Sequence, residues 1–216
     1  MKRSARFFVG LIIAGTMIFG GGSVGCHQAE KGKTEVKPSP TGSPSNEKMS
    51  KPASNQNLNS LDLSRNEWYS KHLKAMNEPP FFSLEGQGES YRFLWLRTFH
   101  HPITIRVWQT GQERTLVFKE LNGAGGYEPG MLIVDQRRQL TVDEWEKFLA
   151  HLNQASYWQL PTDLDDSGLD GAQWILEGRK DGNSHLVDRW TPESGNYREA
   201  CLYLLNLSGR EIKDIY

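Results

Sequence analysis

Ala172-Gln173-Trp174-Ile175-Leu176-Glu177-Gly178 and His185-Leu186-Val187-Asp188-Arg189-Trp190 are two apolar-rich runs joined through Arg179-Lys180-Asp181-Gly182. Runs of this length around Asp-Gly predict an antiparallel hairpin. A type I turn with Gly182 at the bulge position sets Glu177 opposite His185, Ile175 opposite Val187 and Gln173 opposite Arg189. In that register Gln173, Glu177, His185 and Arg189 share a face around Ile175 and Val187. Trp174, Leu176, Leu186 and Trp190, with Asp188 as one polar intruder, form the side expected to meet the core.

Further strands are expected upstream. Tyr91 to Phe99, Ile103 to Gln109 and Arg114 to Leu121 are β-rich, and Thr110-Gly111-Gln112-Glu113 between the last two is a hairpin signal. A short strand over Met131 to Val134 follows a glycine-rich connection. Helices are expected at three places. Trp68, Tyr69, Leu73 and Met76 recur at helical spacing before Pro79-Pro80, with Ser64 and Asn66 as possible caps. Thr141-Val142-Asp143-Glu144 reads as a capping box, with Leu140 and Trp145 placed as a hydrophobic staple. Val142, Trp145, Phe148, Leu149 and Leu152 then line one face. Tyr197, Cys201, Leu204, Leu205 and Ser208 share a face of a last helix running from about Tyr197 to Leu207. The fold class that follows is α+β, an antiparallel twisted sheet of about five or six strands with helices packed on one face.

The chain has 216 residues, room for one globular unit with appendages, and a formal charge of −1. That balance argues against nucleic acid as a partner. Lys2, Arg3 and Arg6 precede an apolar run from Phe7 to Phe19 and a small-residue stretch ending in Gly25, the layout of a secretory signal peptide over residues 1–25. Val24-Gly25-Cys26 resembles the lipobox of bacterial lipoproteins, with Ser23 where that pattern usually has Leu. The resemblance implies diacylglyceryl and acyl (palmitate-type) modification of Cys26 and attachment to a lipid bilayer. It also implies a place in the bacterial cell envelope. With His27 rather than Asp after the cysteine, it implies the outer membrane in a Gram-negative host. Residues 26–60 are rich in Lys, Glu, Ser, Pro and Asn and too poor in apolar side chains to fold, which makes them a disordered tether with a reach of roughly 30 Å. Residues 61–216 form the single domain.

The mixed face of the hairpin is the candidate site. With Asp170 nearby, Gln173, Glu177, His185 and Arg189 could bind a small anion or present a Glu/His pair for acid–base work. The plainer alternative is cross-strand ion pairing on a solvated face, about 0.2–1 kcal/mol per pair. Other constellations carry less. Gly123 to Gly130 has the glycine density of a phosphate loop, but it continues into a strand and lacks Gly-Lys-Ser/Thr, so positive-φ turns account for it better. Asp163, Asp165, Ser167 and Gly168 match part of a calcium loop whose twelfth position is Trp174. His100, His101, His151 and His185 have no metal-ligand spacing, so no metal or cofactor is assigned. Cys201 reads as a buried thiol. Trp95, Trp108 and Trp158 could form a sugar-stacking platform, though aromatics at such spacings more often belong to cores.

Phe99-His100-His101-Pro102, Gly125-Gly126-Tyr127 with Pro129-Gly130, Gly168-Leu169-Asp170-Gly171 with Trp174 and Glu177-Gly178, and Arg189-Trp190 with Pro192 together resemble an uncharacterised group of bacterial exported proteins. The resemblance spans residues 90–208. It implies an autonomous exported domain and supplies no catalytic residues. The expected function is a lipid-anchored envelope protein with a binding or structural domain whose ligand the sequence does not name, an envelope protein or polysaccharide being the expected kind of partner. An envelope hydrolase or ligand sensor working through the hairpin's polar face is the alternative.

Overall fold

The computed structural model describes residues 63–84, 88–164 and 168–216. The leader, Cys26 and the tether lie outside the described residues, as do Asp165 and Ser167 of the calcium-like loop. The elements are α1 (Leu63–Ala75), β1 (Glu89–Arg97), β2 (Ile103–Thr110), β3 (Glu113–Leu121), β4 (Leu132–Gln139), α2 (Val142–Gln154), a 3₁₀ turn (Tyr157–Gln159), β5 (Ala172–Lys180), β6 (Asn183–Trp190) and α3 (Asn196–Leu207).

All six strands form one antiparallel sheet in the order β4-β3-β2-β1-β5-β6. The first four run as a meander from the centre to one edge. The chain then returns through α2 to lay β5 against the free side of β1. The α+β class expected from the pattern is the class observed. Among the described residues no helix is long and apolar enough to cross a membrane.

Local chemistry accounts for the element ends. Thr141 Oγ1 accepts from the Glu144 N–H at 3.1 Å while Glu144 Oε2 accepts from the Thr141 N–H at 2.8 Å, which closes the capping box. Trp145, Phe148 and Leu152 are buried along α2 as the spacing predicts, whereas Val142, in the first turn, is 48% exposed. Helix α1 stops where Asn77 turns into the left-handed region at φ 54° ahead of Pro79-Pro80. It begins at Leu63, so Ser64 and Asn66, read as caps, lie inside it. Strand β4 runs to Gln139, well past Val134. Its second half, Asp135 to Gln139, is polar because it forms the sheet edge and is largely exposed.

Both faces of the sheet are covered. On one, α2 and α3 pack over Phe93, Trp95, Ile105, Phe118, Trp174 and Val187. On the other, α1 packs Tyr69, Leu73 and Met76 against Leu94, Leu96, Ile175 and Leu186. The expectation of helices on one face therefore describes α2 and α3, and α1 adds a third layer. The central strand β1 is accordingly buried from Ser90 to Arg97.

The hairpin register differs from expectation by one residue. Lys180 pairs with Asn183, leaving Asp181 (φ 50°) and Gly182 (φ 78°) as a two-residue loop with both residues left-handed, a type I′ turn. Its twist suits the flanking strands better than the bulged turn expected. Gly178 thus faces His185, Leu176 faces Val187 and Trp174 faces Arg189. A one-residue slip moves every side chain of one strand to the opposite face relative to its partner.

Candidate functional site

The slip dismantles the expected mixed face. Gln173, Ile175 and Glu177 share the α1 side with Leu186, Asp188 and Trp190, whereas His185, Val187 and Arg189 lie on the α2/α3 side with Trp174 and Leu176. Glu177 and His185 therefore cannot work as an acid–base pair, and both are buried rather than solvated.

Each of these residues has a local commitment. Glu177 Oε2 accepts from Arg92 Nη2 at 2.5 Å, and its Oε1 accepts from the Phe82 N–H at 2.5 Å. Arg92 also donates to the Pro79 carbonyl at 2.6 Å and lies 3.6 Å from Glu78, which pairs in turn with Arg106 and Lys119 at 2.9 Å. This ionic cluster ties the segment after α1 to the sheet. Burial raises the Glu177 carboxyl, against the opposing pull of Arg92 and the Phe82 N–H. His185 lies edge-on to Tyr157 with ring centroids 5.1 Å apart, and burial lowers its imidazole. Arg189 donates to the carbonyls of Pro161 and Thr162, pinning the loop that lines the β6 edge.

The remaining two expected residues, Asp170 and Gln173, do come together. They line a cleft of about 510 Å³ at the end of the sheet where α1 crosses it. That volume lies within the ~300–1,000 Å³ of small-ligand sites. Helix α1 supplies Arg65, Trp68 and Tyr69, the loop after β3 supplies Tyr127, and the approach to β5 supplies Leu169. Trp190 completes the wall from β6. Neither Asp170 nor Gln173 makes a side-chain hydrogen bond or ion pair with another described residue, and the same holds for the Tyr127 hydroxyl.

The surrounding groups are held in place. Trp68 Nε1 donates to the Gly125 carbonyl at 3.2 Å, and Lys71 Nζ sits 4.2 Å from the centre of the Trp68 ring. Tyr69 Oη donates to the buried Asp188 carboxylate at 2.7 Å; burial first, then Asp188, pushes its phenol well above the usual range. Arg65 is bound to Asp163 at 2.6 Å. Tyr127 rests against Phe99 with ring centroids 6.2 Å apart and is 58% exposed, while Leu169 is 95% exposed.

The glycine-rich loop earns its glycines differently from the turn reading. Only Gly130 in it has positive φ. A Cβ on Gly125 would lie 2.6 Å from the Arg97 N and O atoms, because the Gly125 N–H donates to the Arg97 and His100 carbonyls. Close backbone approach to the end of β1 is the requirement, and it seats Tyr127 at the cleft.

Other expectations resolve into separate places. His100 Nδ1 lies 2.7 Å from Tyr216 Oη, His101 pairs with Glu120 at 2.8 Å, and His151 stacks on Tyr203 with centroids 4.9 Å apart. Cys201 is a fully buried free thiol, and burial pushes it up. Trp95 is wholly buried, Trp108 lies under Arg106 and Arg137, and Trp158 packs on Tyr157 and His185, so these three do not form a platform. The aromatics at the cleft are Trp68, Tyr127 and Trp190 instead. The signal for Tyr127 and Trp190 lay in the motifs Gly125-Gly126-Tyr127 and Arg189-Trp190, whose segments converge here with Leu169-Asp170, whereas Trp68 reads only as part of the first helix. No protein-family model matches the chain, and no curated protein matches it.

Proposed function

We propose that the chain is a lipoprotein of the bacterial cell envelope, acylated on Cys26, whose domain binds a ligand in the cleft between α1, Tyr127, Asp170 and Trp190. The anchor rests on the charged leader, the apolar run and Val24-Gly25-Cys26. Two or three acyl chains at about 0.8 kcal/mol per buried methylene attach a protein durably. The host's outer membrane is the destination where it has one, by the absence of Asp after Cys26.

One observation carries the binding role. Asp170, Gln173 and Tyr127 line a cleft with aromatic walls, and their carboxylate, carboxamide and phenol have no side-chain partner among the described residues. Side chains that merely support a fold are ordinarily engaged with it, as Glu177 and Arg189 are here. Polar groups aimed into a concave aromatic site are the usual makings of a ligand site.

Two measurements test the reading. Cys26→Ser should abolish acyl labelling and release the protein from membranes; a variant that stays acylated and membrane-bound overturns the anchor. A photo-crosslinking residue at Leu169, in the cleft, should capture an envelope component that the same residue at the exposed Ile133 on β4 does not. Equal capture at both positions refutes the cleft.

A further inference from the structure

We infer that the cleft is a carbohydrate site for an uncharged glycan, with Tyr127 and Trp190 as stacking surfaces and Asp170 and Gln173 as hydroxyl-binding groups. The inference rests on the cleft being the binding site and adds the class of ligand.

Electrostatics exclude the anionic alternatives first. The cations beside the cleft are already committed, Arg65 to Asp163 at 2.6 Å and Lys71 to Glu128 at 2.9 Å and to the face of Trp68. Among the described residues that line the cleft, the charged side chain without a partner is Asp170. A phosphate, a uronic acid or any other anion would meet that carboxylate without a free cation to offset it. A hydroxyl-rich neutral ligand would instead donate to it in charge-assisted bonds. Gln173 both donates and accepts, which matches a sugar's vicinal hydroxyls or an N-acetyl group.

Shape and surface chemistry point the same way. Pyranose rings carry one C–H-rich face, which lies favourably on the electron-rich face of an aromatic ring while the rim hydroxyls reach polar groups. Trp68 is fixed in the wall by its bond to Gly125, and Tyr127 rests against Phe99, so the walls are organised in advance of binding. An extended peptide would be expected to add a strand to a free sheet edge. Next to this cleft the β6 edge is engaged by the Pro161–Asp163 segment, where the Asp188 N–H donates to the Thr162 carbonyl at 2.7 Å. The free polar groups are side chains rather than a row of backbone donors and acceptors.

The test is a titration of the full-length protein in detergent with chitohexaose, cellohexaose and, as the charged counterpart, hexagalacturonic acid. Tryptophan fluorescence and calorimetry report binding, since Trp68 and Trp190 line the cleft. At least one neutral hexamer should bind saturably and the acidic one at least about tenfold more weakly. Asp170→Ala and Tyr127→Ala should each weaken the neutral ligand by about tenfold, the loss of one charge-assisted bond or one stacking surface. Both residues are exposed, so unfolding midpoints should stay at the wild-type value, and Asp170→Asn should fall between wild type and Asp170→Ala. The inference is overturned if no neutral hexamer binds, if the acidic hexamer binds as well, or if the two alanine variants bind like wild type. Should it fail while Leu169 still captures a specific component, the cleft stands with another ligand class; should that capture fail too, the cleft itself falls.

Discussion

Glu177→Ala tests the register and the ionic cluster together. In the register expected from the turn chemistry, Glu177 sits on a solvated face and its loss costs well under about 1 kcal/mol. In the fold it is 1% exposed and holds Arg92, itself 0% exposed, together with the amide of Phe82. Removing one member of a buried pair leaves the other charge uncompensated, at about 3–5 kcal/mol. The cluster sets two carboxylates, Glu78 and Glu177, against Arg92, Arg106 and Lys119. After the substitution Glu78 faces all three cations, with only the half-exposed Asp135, 4.0 Å from Lys119, to share the load, so relaxation toward Glu78 relieves little. The cost should approach that of Trp174→Ala, about 3–5 kcal/mol for a large core truncation. Against a typical total of about 5–15 kcal/mol, either variant is severely weakened. In urea, with a slope of about 1–3 kcal/mol per molar, the midpoint should drop by at least about 1 M. Hydrogen exchange should also show residues 78–84 opening first, because Phe82, held at φ 62°, loses its acceptor. Replacing both partners, Arg92→Leu with Glu177→Leu, should recover most of the loss. A Glu177→Ala midpoint within about 0.3 M of wild type would refute the buried pairing and the register with it.

Burial is the main effect that lowers both His72 and His185, so their folded pKa values lie below the unfolded value of about 6.5. Between the two values the unfolded chain holds more protons; the stability is fully present above about pH 6.5 and is lost as pH falls through the folded values. Glu144, lowered chiefly by its bond to Arg138, adds to the acid loss at lower pH, while Glu177, raised by burial, works in the opposite sense. The readout is therefore a difference: the urea midpoint of wild type should fall more steeply from pH 7 to 5 than that of His185→Gln, and parallel profiles would contradict it. Gly182→Ala should cost about 1 kcal/mol, purely for holding alanine at φ 78°, since the added Cβ meets nothing within 4 Å. Gly125→Ala should cost about 1–3 kcal/mol or more and should also displace Tyr127 from the cleft, because its Cβ would press on the backbone of Leu96 and Arg97 at 2.6 Å. Thermal melts rank the pair, and Gly125→Ala melting at or above Gly182→Ala would overturn the close-approach argument.

Features set by neighbours in sequence were legible from sequence. The capping box at Thr141 and Glu144, a hairpin within Thr110 to Glu113, the helical spacing of Tyr69, Leu73 and Met76 and the α+β order each depend on a few consecutive residues, and each is present in the fold. The 171–190 hairpin existed in the sequence, but its parity did not. Helices cover both faces of β5 and β6, so Trp174, Ile175 and Leu176 are all buried, and hydrophobic alternation could not choose between two registers one residue apart. The choice came from the left-handed conformations of Asp181 and Gly182, and it placed Glu177 and His185 on opposite sides. The cleft was decided only by tertiary structure. Arg65, Tyr127, Asp170 and Trp190 lie far apart along the chain and meet because β5 pairs with β1 while α1 crosses the same end of the sheet. A site assembled by long-range pairing leaves no local spacing to read, whereas a helix cap, closed within four residues, is written in full.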